Sequence, residues 1–283
     1  MKKIIEVEKK SVRSMRNDKQ EIENYLIEET SSTLSRRIEA HKKYSKLEIN
    51  EWILKIINLK KGERILDIGC GTGKQSIPYK KKIGENGLVV ATDISEEIIE
   101  TARKNAIQEN VQIQFLVHDT NQPFNFPDNY FNYISSCFSI YYINDIEKVI
   151  VELRRLLKLG GRIFLVGPTP ENAGLLHELH GEITQKPLPY MPGMSRFMGE
   201  ILTTVQKYFK GVKIFYFKNS LVFNDIETFL EYYNSTGLFM NSSKDEEERN
   251  YYREKMKEKI QEIIEREGKM EVIKDVGGIL AYK

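Results

Sequence analysis

Cysteine is almost missing from this chain: Cys70 and Cys137 are the two present, far apart and each set in an apolar run. That excludes a disulfide framework and a Cys-x-x-Cys metal knuckle, and the expectation is a cytoplasmic protein with reduced thiols. No stretch approaches the ~18 consecutive apolar residues of a membrane span, and the N-terminus lacks the apolar core of a signal peptide. There is also no excess of one charge. Lys and Arg number 43 against 41 Asp and Glu, a net charge of +2, so no global field favours nucleic acid or an anionic membrane. The first twenty residues are locally basic, but Glu6, Glu8 and Asp18 interrupt them, and the stretch reads as a solvated arm. What remains is an ordinary globular composition, 40% hydrophobic and 30% charged over 283 residues, enough to bury a substantial core.

Residues 20–58 read as helix, with Ile49, Trp52, Ile53, Ile56 and Ile57 at helical spacing. Lys61-Gly62 breaks that rhythm, and strands then alternate with helices. Strands are expected at 64–68, 88–93, 111–118, 130–138 and 162–166. The helices between them run over 74–83, from the Ser95 cap to about Asn105, and along the stripe Ile146, Val149, Ile150, Leu153, Leu156 and Leu157, ended by Gly160-Gly161. Five strands in such alternation predict a parallel sheet covered on both faces. Beyond Pro168 the pattern changes. Residues 171–210 look helical with an interruption at Pro187, Pro189 and Pro192, and 212–223 looks like a strand. A helix follows at 226–233, a long charged helix at 244–267 on the stripe Tyr252, Met256, Ile260, Ile263 and Ile264, and a last strand near 270–282.

The informative segment is Leu66-Asp67-Ile68-Gly69-Cys70-Gly71-Thr72-Gly73, between the first strand and its helix. Open α/β sheets bind ligands at this place. Glycine lets the backbone approach a ligand and adopt positive φ. A dinucleotide fingerprint would need a third glycine at position 74, where Lys74 stands. Asp93 ends the second strand, where a carboxylate can accept from two ribose hydroxyls.

The Asp-x-Gly-x-Gly-x-Gly pattern resembles motif I of class I S-adenosylmethionine-dependent methyltransferases, closest to the small-molecule and quinone-biosynthesis group. Asp119 after the third strand, the stretch 126–132 and the turn 157–162 resemble that family too. Asn132 departs from it, standing where the family usually has an acid. The likeness covers about 60–168. It implies a seven-stranded Rossmann-like sheet, mostly parallel with one antiparallel strand near the C-terminus, and S-adenosylmethionine as cofactor. The implied contacts are Asp67, Gly69, Cys70, Gly71 and Gly73 around the methionine part, Asp93 and Ile94 at the ribose, Asp119 and Thr120 at the adenine, and Cys137 and Tyr44 at the border of the site.

The organisation expected is an N-terminal arm and helical cap over 1–58 and a methyltransferase domain over 59–283, with lid insertions near 171–207 and 225–267. His41 shares a helix face with Tyr44 and reads as structural or solvent-facing. Candidates to act on an acceptor are His177, His180 and Tyr141. His177-Glu178-Leu179-His180 is not a His-Glu-x-x-His zinc helix, so no metal is expected. The partner expected is a small-molecule acceptor with an O, N or C nucleophile, and not nucleic acid, since no basic stripe with interleaved aromatics is present. A nicotinamide oxidoreductase and a non-catalytic cofactor-binding protein stand as alternatives.

Overall fold

In a computed structural model, which describes residues 31–283, seven strands form one sheet in the order β3-β2-β1-β4-β5-β7-β6. They are β1 (Arg64–Ile68), β2 (Leu88–Asp93), β3 (Gln114–Val117), β4 (Phe131–Cys137), β5 (Leu157–Pro168), β6 (Lys210–Phe223) and β7 (Met270–Tyr282). The first five pair in parallel, and β7 runs antiparallel to both of its neighbours, β5 and β6. This is the sheet expected from the sequence. The basic arm and the first part of the expected 20–58 helix lie outside the described residues.

The central strands are buried because their apolar runs meet helices on both faces. Leu66, Ile134 and Leu165 face one layer with Ile150 and Leu153 of the Ile146–Leu156 helix. Ile65, Tyr133 and Phe164 face the other with Ile53 and Ile57 of the Ile49–Ile57 helix. Helix starts follow the capping chemistry of short oxygen side chains. Ser95, Asp145 and Asp225 accept from the N–H of Ile98, Lys148 and Thr228 at 3.3, 2.9 and 2.9 Å. Asn132, in the place of the family's acid, still ties strand starts together: its Oδ1 accepts from the Arg64 N–H at 2.9 Å and from Lys158 Nζ at 3.2 Å.

Three boundaries differ from the sequence reading. The 20–58 helix is two helices, Ser31–Tyr44 and Ile49–Ile57. Between them Ser45 bridges Leu221 of β6, and Asn219 exchanges two hydrogen bonds with the backbone of Leu47, at 3.2 and 2.8 Å. That contact covers the outer edge of β6, which would otherwise leave a strand edge unpaired. In the proline-rich stretch the chain breaks between the helices Gly174–Thr184 and Pro192–Arg196. Pro192 begins the second helix instead of interrupting one, since the first turn has no use for its missing N–H. The third boundary is at Gly160-Gly161, which does not end the helix. The helix stops at Leu156, and β5 starts at Leu157.

A second core lies beyond the sheet's carboxyl edge. Leu221 and Phe223 of β6, Leu176, Phe229 and Tyr233 pack there with Met256 and Ile260 of the Glu246–Glu267 helix. The long charged helix is thus an outer helix with one buried stripe.

Candidate functional site

The loop after β1 takes its shape from three glycines at positive φ. Gly69 stands tightest: an added Cβ would lie 2.3 Å from the Ser139 side chain. That serine belongs to the loop after β4, where its Oγ donates to the Ile68 carbonyl at 2.9 Å and pairs with Ser136 Oγ at 2.7 Å. The loops after β1 and β4 are therefore locked together at the point where the order of strands reverses direction. An added Cβ at Gly71 meets only Leu34, at 3.7 Å. The space above that residue belongs to a cavity of about 490 Å³.

The cavity opens at the carboxyl ends of the parallel strands, lined by Gly69, Cys70 and Gly71 after β1, Asp93 and Ile94 at β2, Asp119 and Thr120 after β3, and Cys137 at β4. Asp93 has a double task. Its Oδ2 accepts from the Gly71 N–H at 3.0 Å and its Oδ1 from the Ser95 N–H at 3.2 Å, and a carboxylate has lone pairs beyond these two. Burial pushes its pKa up, and the backbone N–H groups oppose that shift. Asp119 Oδ1 accepts from both the backbone and the side-chain amide of Asn121, at 2.9 and 2.8 Å, which fixes the turn after β3. Phe138, also lining the cavity, adopts φ +61°. A bulky residue in that region stores strain, a feature that clusters at functional sites.

Some candidates from the sequence are placed elsewhere. Asp67 is 1% exposed and lies beneath the loop, outside the cavity lining. It accepts from Ser76 Oγ at 2.5 Å, and burial pushes its pKa up to about 7. Gly73 also faces inward, toward Ile77 and Ala102. Tyr44 does not reach the cavity; its ring packs 4.8 Å from that of Phe223 in the second core, because the helix ends there and the chain turns onto β6. His180 is likewise internal, with Nδ1 2.6 Å from the Tyr233 hydroxyl. Both thiols are poor nucleophiles: burial raises the Cys70 pKa and pushes that of Cys137 up to about 12. Among the described residues no group of three His, Cys, Asp or Glu side chains could hold a metal ion.

Beside this cavity lies a smaller chamber of about 150 Å³. The two share Arg37, His41, Tyr141, Tyr142, Asn172 and Lys274. His177 opens into the chamber alone. Burial, and after it the Lys274 charge, lowers the pKa of His41 to about 3 and that of His177 to about 4. Both rings are neutral at ordinary pH. The sequence reading missed Arg37, Ile38, Asn219 and Lys274 in the wall of the larger cavity. Leu34, Arg37, Ile38 and His41 follow helical spacing, a signal that could have marked the first part of the wall. Asn219 and Lys274 are neighbours across β6 and β7, and no local pattern marks them.

A family model described as a methyltransferase domain matches residues 65–161. Demethylmenaquinone methyltransferase of Listeria monocytogenes is 30% identical over 119 residues, 42% of this chain and 50% of that protein. A ubiquinone/menaquinone biosynthesis C-methyltransferase of Francisella tularensis is 28% identical over 154 residues, 54% of this chain and 58% of that protein. The chain spans about half the length of the curated relatives it matches. Among solved structures, a putative methyltransferase from Bacillus halodurans matches with a TM-score of 0.58 at 18% identity, over 83% of this chain and 98% of that one. The YcgJ protein of Bacillus subtilis gives 0.53 at 16%, over 83% and 97%. These structures share the fold.

Proposed function

We propose, from the match of residues 65–161 to a methyltransferase domain, that this chain uses S-adenosylmethionine to transfer a methyl group to a small-molecule O, N or C nucleophile. The observation that carries the reading is the cavity itself: a positive-φ glycine loop, with Asp93 braced against it, at the ends of the central strands. The residues present fit the cofactor. Open space over Gly71 leaves room for close approach. Asp93 offers acceptor oxygens for a ribose, and Ile94 and Ile98 offer apolar surface beside the Asp119–Thr120 turn. Asp67 acts from below, ordering the loop through Ser76. Bound there, the cofactor supplies a sulfonium-activated methyl group.

The chain's own task is to bind, align and keep out water, since an in-line displacement at a sulfonium disperses charge and gains most from positioning. The cover is the Ser31–Tyr44 helix together with the loop and helices over 171–195, the part of the expected lids that borders the site. Residues 59–283 form the domain and the segment before them its cap. Nothing at the site favours nicotinamide, because Lys74 occupies the third-glycine position and itself lines the cavity.

Calorimetry tests the reading: S-adenosylhomocysteine is expected to bind and NAD is not. Binding of NAD alone overturns it. Hydrogen exchange tests the cover. S-adenosylhomocysteine should slow exchange over 31–45 and 171–195 and change little over 246–267. Equal exchange in both states would assign the cover to other parts.

A further inference from the structure

The smaller chamber has a charge pattern that the cofactor does not explain. Among the described residues lining it, the ionisable side chains other than tyrosine are Arg37, His41, His177 and Lys274, and no Asp or Glu. Lys274 sets the sign. On β7 successive side chains alternate faces, so its neighbour Asp275 points the other way and pairs with Lys218 at 3.1 Å. Lys274 Nζ instead lies 3.3 Å from the Tyr232 hydroxyl, and the Tyr232 ring is held by stacking on Phe223 at 5.4 Å. The ammonium is thereby fixed at the chamber wall by a neutral partner. Arg37 Nη1 donates to the Ser235 carbonyl at 3.2 Å, which places a second cation on the same wall. The buried histidines add no charge and leave acceptor nitrogens. Leu176, Met191 and Leu238 add apolar surface to the wall, beside the uncharged polar side chains of Asn172 and Thr236. A cation in such surroundings is stabilised most by an anion that reaches it with little water between.

Resting on the methyl-transfer reading, we propose that the acceptor is an oxyanion, a carboxylate or phosphate monoester on a compact apolar body. Its anionic group pairs with Lys274 beside Arg37, so that the nucleophilic atom points back to the cofactor cavity across Tyr141. Lys274 is then a specificity-determining residue, and the acceptors accepted by the enzyme carry a negative charge at a fixed distance from the methylated atom.

The full-length protein, saturated with S-adenosylhomocysteine, is titrated by calorimetry with benzoate, phenyl phosphate and their neutral counterpart benzamide. At least one anion is expected to bind tenfold or more tighter than benzamide, and the tighter of the two identifies the oxyanion. Lys274→Gln should erase that preference, and Lys274→Arg, which keeps the charge, should restore most of it. Equal binding of benzamide and the anions, no measurable anion binding, or a preference that survives in K274Q overturns the proposal while the methyl-transfer reading stands. Failure of S-adenosylhomocysteine to bind the unaltered protein removes both.

Discussion

The two halves of the cavity are built by different means. The half proposed for the cofactor is made at the ends of consecutive strands, by backbone and short side chains: Gly69, Gly71, Asp93 and the Asp119 turn, held by bonds such as Gly71 N–H to Asp93 and Ser139 to the Ile68 carbonyl. The half proposed for the acceptor is made by long side chains from separate elements, Arg37 and His41 from one helix, His177 from another and Lys274 from β7. A site made from backbone is fixed by the fold and tolerates little change. One made from side chains can be altered without altering the sheet, so the first half suits a constant ligand and the second a variable one.

Four experiments probe that contrast. Gly69→Ala attacks the backbone half where it is tightest. Steric overlap with Ser139 and an unfavourable positive φ together should cost about 2–5 kcal/mol in thermal or urea unfolding, with cofactor binding lost. A folded variant of normal affinity would mean that the loops are not locked. Next in size is a pH effect through Asp67. Its carboxyl has a higher pKa folded than unfolded, so the native state holds the proton that the unfolded state releases. The stability it contributes is present below the unfolded value near 4 and is lost as pH rises to about 7, by up to about 4 kcal/mol. Unfolding of the ligand-free protein across that window should show the decline, and Asp67→Asn should flatten it.

Asp93→Ala should weaken S-adenosylhomocysteine by about 1.5–3 kcal/mol, roughly ten- to a hundredfold, while binding of an acceptor-side probe changes little. Unchanged cofactor affinity by titration would reduce Asp93 to a brace for Gly71 and Ser95. The smallest effect belongs to Tyr44→Ala. With its ring against Phe223, the loss should appear as about 1–2 kcal/mol of stability. Cofactor affinity should stay the same, and a tenfold loss would return Tyr44 to the site.

The same contrast decides what the sequence revealed. Strands β1 and β2 and the cap of the helix after β2 were readable because apolar runs, glycine and Ser95 act through neighbours in the chain. Eight of the loop and strand-end residues that line the cavity were readable for the same reason. Tyr44 was misplaced because the helix that carries it is broken by Asn219, 172 positions from Leu47. Lys274 was missed because its meaning depends on β7 lying beside β6 and on the Tyr232 hydroxyl that meets its ammonium. His180 shows the converse: a pattern that suggested chemistry is satisfied by Tyr233, a partner 53 residues away.

The Asn219 clamp has a consequence in time as well as in space. Strands β1 to β5 can assemble through short crossovers, but Ser45 and Leu47 have no place to dock until β6 and β7 have joined the sheet. Contacts of such sequence separation carry a large loop-closure cost and are expected late in folding. The cap should therefore be the last wall raised and the first lost, opening at a lower free energy than the sheet. Native-state hydrogen exchange would register this as an early-opening unit comprising 31–48. The protein would then possess, before any ligand arrives, a door that Asn219 helps to pin.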